Sequence, residues 1–181
     1  MPASAPKNVV ISVAVPDAPR ALSGADLAWR KDGVLAYVEE ASWQGRNLDL
    51  LQTLLVHSFD RSGKVRGAVR AGEGGSNAEV HWDLIAFEVV ENPGLEARFQ
   101  TNVKLFESRT RRLIAQREFS QTVPMADRST GVAARALEQA ARGVAAQIVD
   151  WTAAEAPEQD RTTPPPPALP PETTSATPAP R

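Results

Sequence analysis

The sequence predicts an α+β fold: a single, mostly antiparallel sheet with two helices packed on one face. Three observations predict it. Apolar residues alternate with polar ones in several short stretches, the pattern of half-buried strands. Two longer stretches repeat apolar residues at helical spacing. The order along the chain is strands, helix, strands, helix, which suits a layered sheet rather than a regular βαβ array.

Each element has its own justification. Val9, Ile11, Val13 and Val15 alternate and predict a first strand, which Pro16 and Pro19 stop. Leu27 to Arg30 and Val34 to Glu40 predict a hairpin about Lys31-Asp32-Gly33, because Asp-Gly supplies the positive φ of tight hairpin turns. Asn47 is the expected N-cap of the first helix, with Asp49 in its first turn. Leu48, Leu51, Leu55 and Phe59 mark its buried face, with Leu54 beside them, and Gly63 suits a C′ cap.

Val65 to Val69 predicts a short strand, and residues 72–77 a loop. Val80 to Val90 reads as a strand with a bulge or two-sided burial. Asn92-Pro93-Gly94 is a turn. Phe99, Thr101, Val103 and Leu105 then alternate with Arg98, Gln100, Asn102 and Lys104, a strand with one wet face. After a turn at 108–111, Leu113, Ala115 and Phe119 begin a last strand that Pro124 ends or places at an edge. Residues 130–153 form the second helix. Ala133, Leu137, Ala140, Val144, Ile148 and Trp151 lie on one face; Arg135, Glu138, Arg142 and Asp150 lie on the other.

Nine of the 15 prolines lie between Pro157 and Pro180, so composition divides the chain. The expected organisation is a disordered segment at 1–7, a folded domain at 8–154 and a disordered Pro-rich tail at 155–181. The tail has polyproline II character and contains Pro-x-x-Pro matches, but reads first as a spacer.

The chemistry is sparse. The net charge of -2, with signs interspersed, argues against a nucleic-acid binder. Arg109, Arg111 and Arg112 read as a solvated turn, with an anion or headgroup patch as the other possibility. There is no cysteine, so thiolate chemistry and disulfides are out. His57 and His81 have no paired metal-ligand spacing, so no metal and no cofactor are expected. The Gly72–Gly75 loop lacks the Lys-Ser/Thr ending and the following helix of a phosphate loop. No serine sits in a nucleophile elbow. Glu39 and Glu40, adjacent on a strand, point to opposite faces. Asp83 and Glu88 have no evident partner. An enzyme is therefore not expected. Trp29, Tyr37 and Trp43 are the candidate contacts to a partner or an apolar ligand, with hairpin packing as the other reading.

The ordered series of features from Val9 to Trp151 resembles the ABC-type transport auxiliary lipoprotein family. It comprises Val9 to Pro16, Pro19-Arg20-Ala21-Leu22, Leu27-Ala28-Trp29-Arg30, Tyr37, Trp43, Leu50-Leu51-Gln52-Thr53-Leu54-Leu55, Leu84 with Phe87-Glu88, Ala115 with Arg117 and Phe119, and the alanine-rich helix ending at Trp151. The resemblance implies a non-enzymatic periplasmic subunit beside an Mce-domain protein and an ABC permease and ATPase, moving lipids or other hydrophobic compounds. It implies no catalytic residues, and leaves a homo-oligomer open. The family's leader and lipobox cysteine are absent from these residues, so an N-terminal lipid anchor is expected only in a full-length precursor. The alternative is a structural envelope protein that bridges a partner enzyme or the cell wall.

Overall fold

The computed structural model describes residues 5–158. Residues 1–4 and 159–181 lie outside the described residues, as do the side chains of 39–41. The expected disorder of the tail, most of the expected N-terminal segment and the opposed Glu39 and Glu40 therefore fall largely outside them.

The described residues form seven strands and two α-helices: β1 Lys7–Val13, β2 Asp26–Lys31, β3 Val34–Ser42, α1 Asn47–Ser62, β4 Val65–Arg70, β5 Ala78–Glu91, β6 Leu95–Glu107, β7 Leu113–Pro124 and α2 Thr130–Glu155. A single 3-10 turn, Arg20–Leu22, lies between β1 and β2. The α+β class is as the sequence predicts, and both helices lie on one face of the sheet, where they pack on each other.

The sheet is mixed rather than mostly antiparallel. The β2–β3, β5–β6 and β6–β7 pairs are antiparallel, but β1–β4, β1–β5 and β2–β5 are parallel. The cause is the length of β5. One of its edges pairs with β6 from Ala78 to Glu91. The other edge is shared: residues 78–80 take β1 and residues 88–91 take β2. Between them Asp17 bridges to Asp83. The sheet thus forks into two ribbons, β1–β4 and β2–β3. Parallel pairing needs long crossovers, and the chain supplies one through the hairpin and α1 before β4 returns beside β1.

Local details follow from the residues. Asp32 and Gly33 take φ of 49° and 82°, the two positive values a tight hairpin turn requires. Register shifts between Leu84 and Ala86, so the expected bulge is present. Beyond it Ala86, Phe87, Glu88 and Val89 are all buried. In β6, Ala97, Phe99, Thr101, Val103 and Leu105 are the buried alternate residues. β7 lies at the sheet edge. Val15 falls outside β1 and is exposed, because the chain has already turned towards Asp17.

α1 buries Leu48, Leu51, Leu55 and Phe59, and ends at Gly63 with φ 64°, the left-handed cap. Its start differs from expectation. Arg46 is the cap residue and makes no side-chain cap bond, while Asn47 is the first helical residue. Asn47 is pulled inward because its N–H donates to the Gly24 carbonyl at 3.0 Å and its side chain is buried. Buried Gln52 ties α1 to β1 by donating from Nε2 to the Val13 carbonyl at 2.9 Å. α2 is capped by Ser129, whose hydroxyl accepts from the Val132 N–H.

Candidate functional site

The three aromatics separate. Tyr37 pairs across the hairpin with Ala28, and Trp29 with Ala36. Alternation therefore puts Tyr37 and Trp29 on opposite faces of the sheet. Tyr37 is exposed and donates its hydroxyl to the Ala21 carbonyl at 3.0 Å, pinning the 3-10 turn. Trp29 is half-buried and donates Nε1 to Glu91 Oε2 at 3.3 Å. Trp43 stacks on Phe87 with ring centroids 5.4 Å apart. Phe87 in turn meets Phe99 edge to face at 5.6 Å. Such pairs contribute about 0.5–1.5 kcal/mol beyond their buried area.

Trp43 and Phe87 form the end wall of a groove of about 310 Å³ between α1 and α2. Leu50, Leu51 and Leu54 of α1 and Ala141 of α2 form its sides. His57, Arg61, Glu138 and Arg142 form its polar rim. Arg142 is engaged by Glu138, one turn away, at 2.6 Å. Two polar atoms in the wall, Trp43 Nε1 and Asn47 Oδ1, are buried without a hydrogen-bond partner among the described residues. Leu50 is 40% exposed at the open side. A smaller hollow of about 60 Å³ lies between Trp43 and the start of α2 at Thr130 and Ala134.

Of the three candidate contacts, only Trp43 borders the groove. Sequence reading missed Leu50, His57, Arg61 and Phe87 as groove residues. The signal was present: Leu50, Leu54, His57 and Arg61 follow at steps of four, three and four, a second stripe beside the core stripe. What the stripe faces depends on α2, about 80 residues further on, and helical spacing carries no such information.

A second polar site lies on the opposite face. Glu88 is 1% exposed, yet charged. Arg30 grips it with two hydrogen bonds of 2.9 Å, and Arg98 adds one of 2.7 Å. Burial alone pushes the Glu88 carboxyl up, but these hydrogen bonds outweigh it and hold the group below 4.5. The expectation that Glu88 lacks a partner is corrected: its partners stand 58 and 10 residues away in sequence. Asp83 is paired with Lys104 at 3.2 Å. At the end of β5, Arg128 hydrogen-bonds Glu91, and Trp29 and Lys31 also donate to it; together they lower its carboxyl to about 2. His81 meets Glu79 at 3.2 Å. Arg111 also pairs with Glu79, and Arg112 with Glu107, so these two turn arginines are engaged at the surface.

Among the described residues no group of three or more His, Asp or Glu side chains could hold a metal ion. No described helix is long and apolar enough to cross a membrane. The groove offers shape and apolar contact, and the Glu88 cluster offers a structural lock.

Comparison with known proteins bears on the family and the fold. The family described as the ABC-type transport auxiliary lipoprotein component matches residues 1–149. Protein XCC0632 from Xanthomonas campestris has a similar crystal structure, with TM-score 0.79 and 28% identity over 86% of this chain and 89% of that one. PelC from Paraburkholderia phytofirmans, crystallised as a dodecamer, superposes with TM-score 0.53 at 8% identity over 84% of this chain and 91% of that one. Protein CT253 from Chlamydia trachomatis superposes with TM-score 0.53 at 9% identity over 81% of this chain and 99% of that one. The last two likenesses concern the fold alone. No curated protein matches the chain.

Proposed function

Because the chain belongs to the family of ABC-type transport auxiliary lipoprotein components, we propose that it is a non-enzymatic, periplasmic accessory subunit of an Mce-associated ABC system. In this role it docks beside an Mce-domain protein and the permease and ATPase, and assists the movement of lipids or other hydrophobic compounds. An N-terminal lipid holds the full-length precursor at the membrane. The family match carries the reading. The groove between α1 and α2 supports it, since leucine and aromatic side chains supply its apolar lining and its charged groups stand at the rim.

The same fold serves as the subunit of a dodecamer in PelC. That supports a homo-oligomeric arrangement here. Native mass spectrometry of the full-length, membrane-extracted protein tests the whole reading. The expected spectrum contains an acylated N-terminus, more than one copy of the chain and a co-purified Mce-domain partner. A monomer without acyl group, lipid or partner would overturn it.

A further inference from the structure

The groove between α1 and α2 has a direction. One end is apolar, where Trp43 stacks on Phe87. Its sides are aliphatic, with Leu50, Leu51 and Leu54 on α1 and Ala141 on α2. Leu50 is 40% exposed and Leu54 is half-buried, so aliphatic surface stays open to the slot. Towards the end of α1 the slot meets a cation. Arg61 borders it and makes no ion pair among the described residues. His57 stands one turn before it on the same face of the helix. The other charges of the rim cancel: Arg142 donates from two guanidinium nitrogens to Glu138 Oε1, at 3.0 and 2.6 Å. Two carboxylates close by in the chain or across the helices are engaged elsewhere. Asp60 accepts from the Ala68 N–H, and Asp150 pairs with Lys64.

A leucine-sided slot that ends on an aromatic wall and opens beside an uncompensated guanidinium fits an aliphatic chain with one anionic head. Its dimensions select the chain. From Leu50, the first leucine of the slot, to Arg61 is eleven residues, or about 16 Å of helix. An extended hydrocarbon advances about 1.25 Å per carbon, the projection of a bond of about 1.52 Å at an angle of about 111°, so about 13 carbons span that distance. The volume of about 310 Å³ lies at the small end of ligand clefts, which run from about 300 to about 1,000 Å³. It takes one such chain rather than the two of a diacyl lipid. A single carboxylate matches the single guanidinium, whose planar fork donates two parallel hydrogen bonds to it.

We infer that the groove binds one fatty acid of about 12–14 carbons, with its tail against Trp43 and Phe87 and its carboxylate on Arg61. This names a ligand class for the groove of the transport reading, and rests on that reading for its purpose.

Calorimetric titration of the delipidated full-length chain with octanoate, decanoate, dodecanoate, tetradecanoate and hexadecanoate, each below its micelle concentration, tests it. Affinity is expected to rise about two- to fourfold per methylene up to tetradecanoate, and to level off at hexadecanoate. No binding at any length, or a rise that continues unbroken, overturns the inference. Leu50→Glu places a charge in the slot at an exposed position. It should weaken tetradecanoate more than about tenfold while thermal unfolding stays native; unchanged affinity overturns the inference. Arg61→Gln should weaken tetradecanoate about five- to tenfold and leave tetradecanol unchanged, a split that misfolding would not produce. Equal losses for both, or none for tetradecanoate, overturn it. Self-association that Leu50→Glu breaks, in a chain that takes no fatty acid, assigns the groove to a second copy and overturns it too. Fatty acid binding by a chain that co-purifies with no partner leaves this site standing and counts against the transport reading alone. An acylated, partner-bound chain that takes no fatty acid does the reverse.

Discussion

Replacing Glu88 by Gln keeps the size of the side chain and removes its charge. The native carboxylate receives three hydrogen bonds, two of 2.9 Å from Arg30 and one of 2.7 Å from Arg98. Glutamine keeps one carbonyl acceptor and turns an amide N–H₂ towards a guanidinium. A hydrogen bond to a charged group contributes about 1.5–3 kcal/mol net. Three such bonds would sum higher, but the arginine side chains are 34% and 36% exposed and recover water when released. The expected cost is therefore about 2–3 kcal/mol, below the ~3–5 of a fully buried broken pair. For a chain of this size that lowers Tm by about 4–12 °C. Thermal and urea unfolding at pH 7 measure it. The triple variant Glu88→Leu, Arg30→Met, Arg98→Met should recover much of the loss, because no charge is left buried alone. A Glu88→Gln loss under about 0.5 kcal/mol, the size of an ordinary surface change, would refute the claim that this cluster locks the sheet.

Three further outcomes are expected. The folded Glu91 carboxyl titrates at about 2, against an ordinary value of 4.5, so its contribution is complete above that value and drains away as pH falls towards about 2. Glu91→Gln should flatten the acid slope of stability in that window, and an unchanged slope in urea titrations would contradict it. A Cβ at Gly143 would meet the Gln121 side chain, where α2 lies against β7. Gly143→Ala should be near neutral alone but gain about 1 kcal/mol in a Gln121→Ala background, the helix-propensity difference; equal effects in both backgrounds would count against that close approach. Phe59, fully buried, should cost about 3–5 kcal/mol as Ala in the same denaturation assay, whereas exposed Tyr37→Phe should cost under about 1 kcal/mol.

What could be read from the sequence is what local periodicity controls. The alternation of Phe99 to Leu105 and the stripe from Leu48 to Phe59 each report one face of one element, and both appear as expected. Asp32-Gly33 and Gly63 report backbone conformations that few other residues adopt comfortably, and both positions take them. The parallel pairings were not legible, because they depend on how β5 divides its edge between two distant strands, and alternation is the same in parallel and antiparallel neighbours. Asn47 has the chemistry of a cap, but a tertiary bond to Gly24 decided its place. Glu88 looked partnerless for the same reason: Arg30 reaches it across β2 and Arg98 across β6. Within the candidate site, Trp43 borders the groove, but its separation from Tyr37 needed the hairpin register.

The fork in the sheet also divides the molecule's resistance to opening. The β2–β3 ribbon joins β5 through only four paired positions, Ala28 to Lys31 against Glu88 to Glu91. The β1–β4 ribbon is held in addition by α1, through Gln52 and the contacts of the helix on β4. Amide exchange should therefore find two cooperative units, with the hairpin opening at lower free energy than the β5–β6–β7 body. Trp43 follows directly from that hairpin, and its backbone N–H donates to the Ala25 carbonyl just before β2. Trp43's half of the groove's end wall is thus mounted on the more easily released ribbon, while Phe87 stays on β5 in the main body.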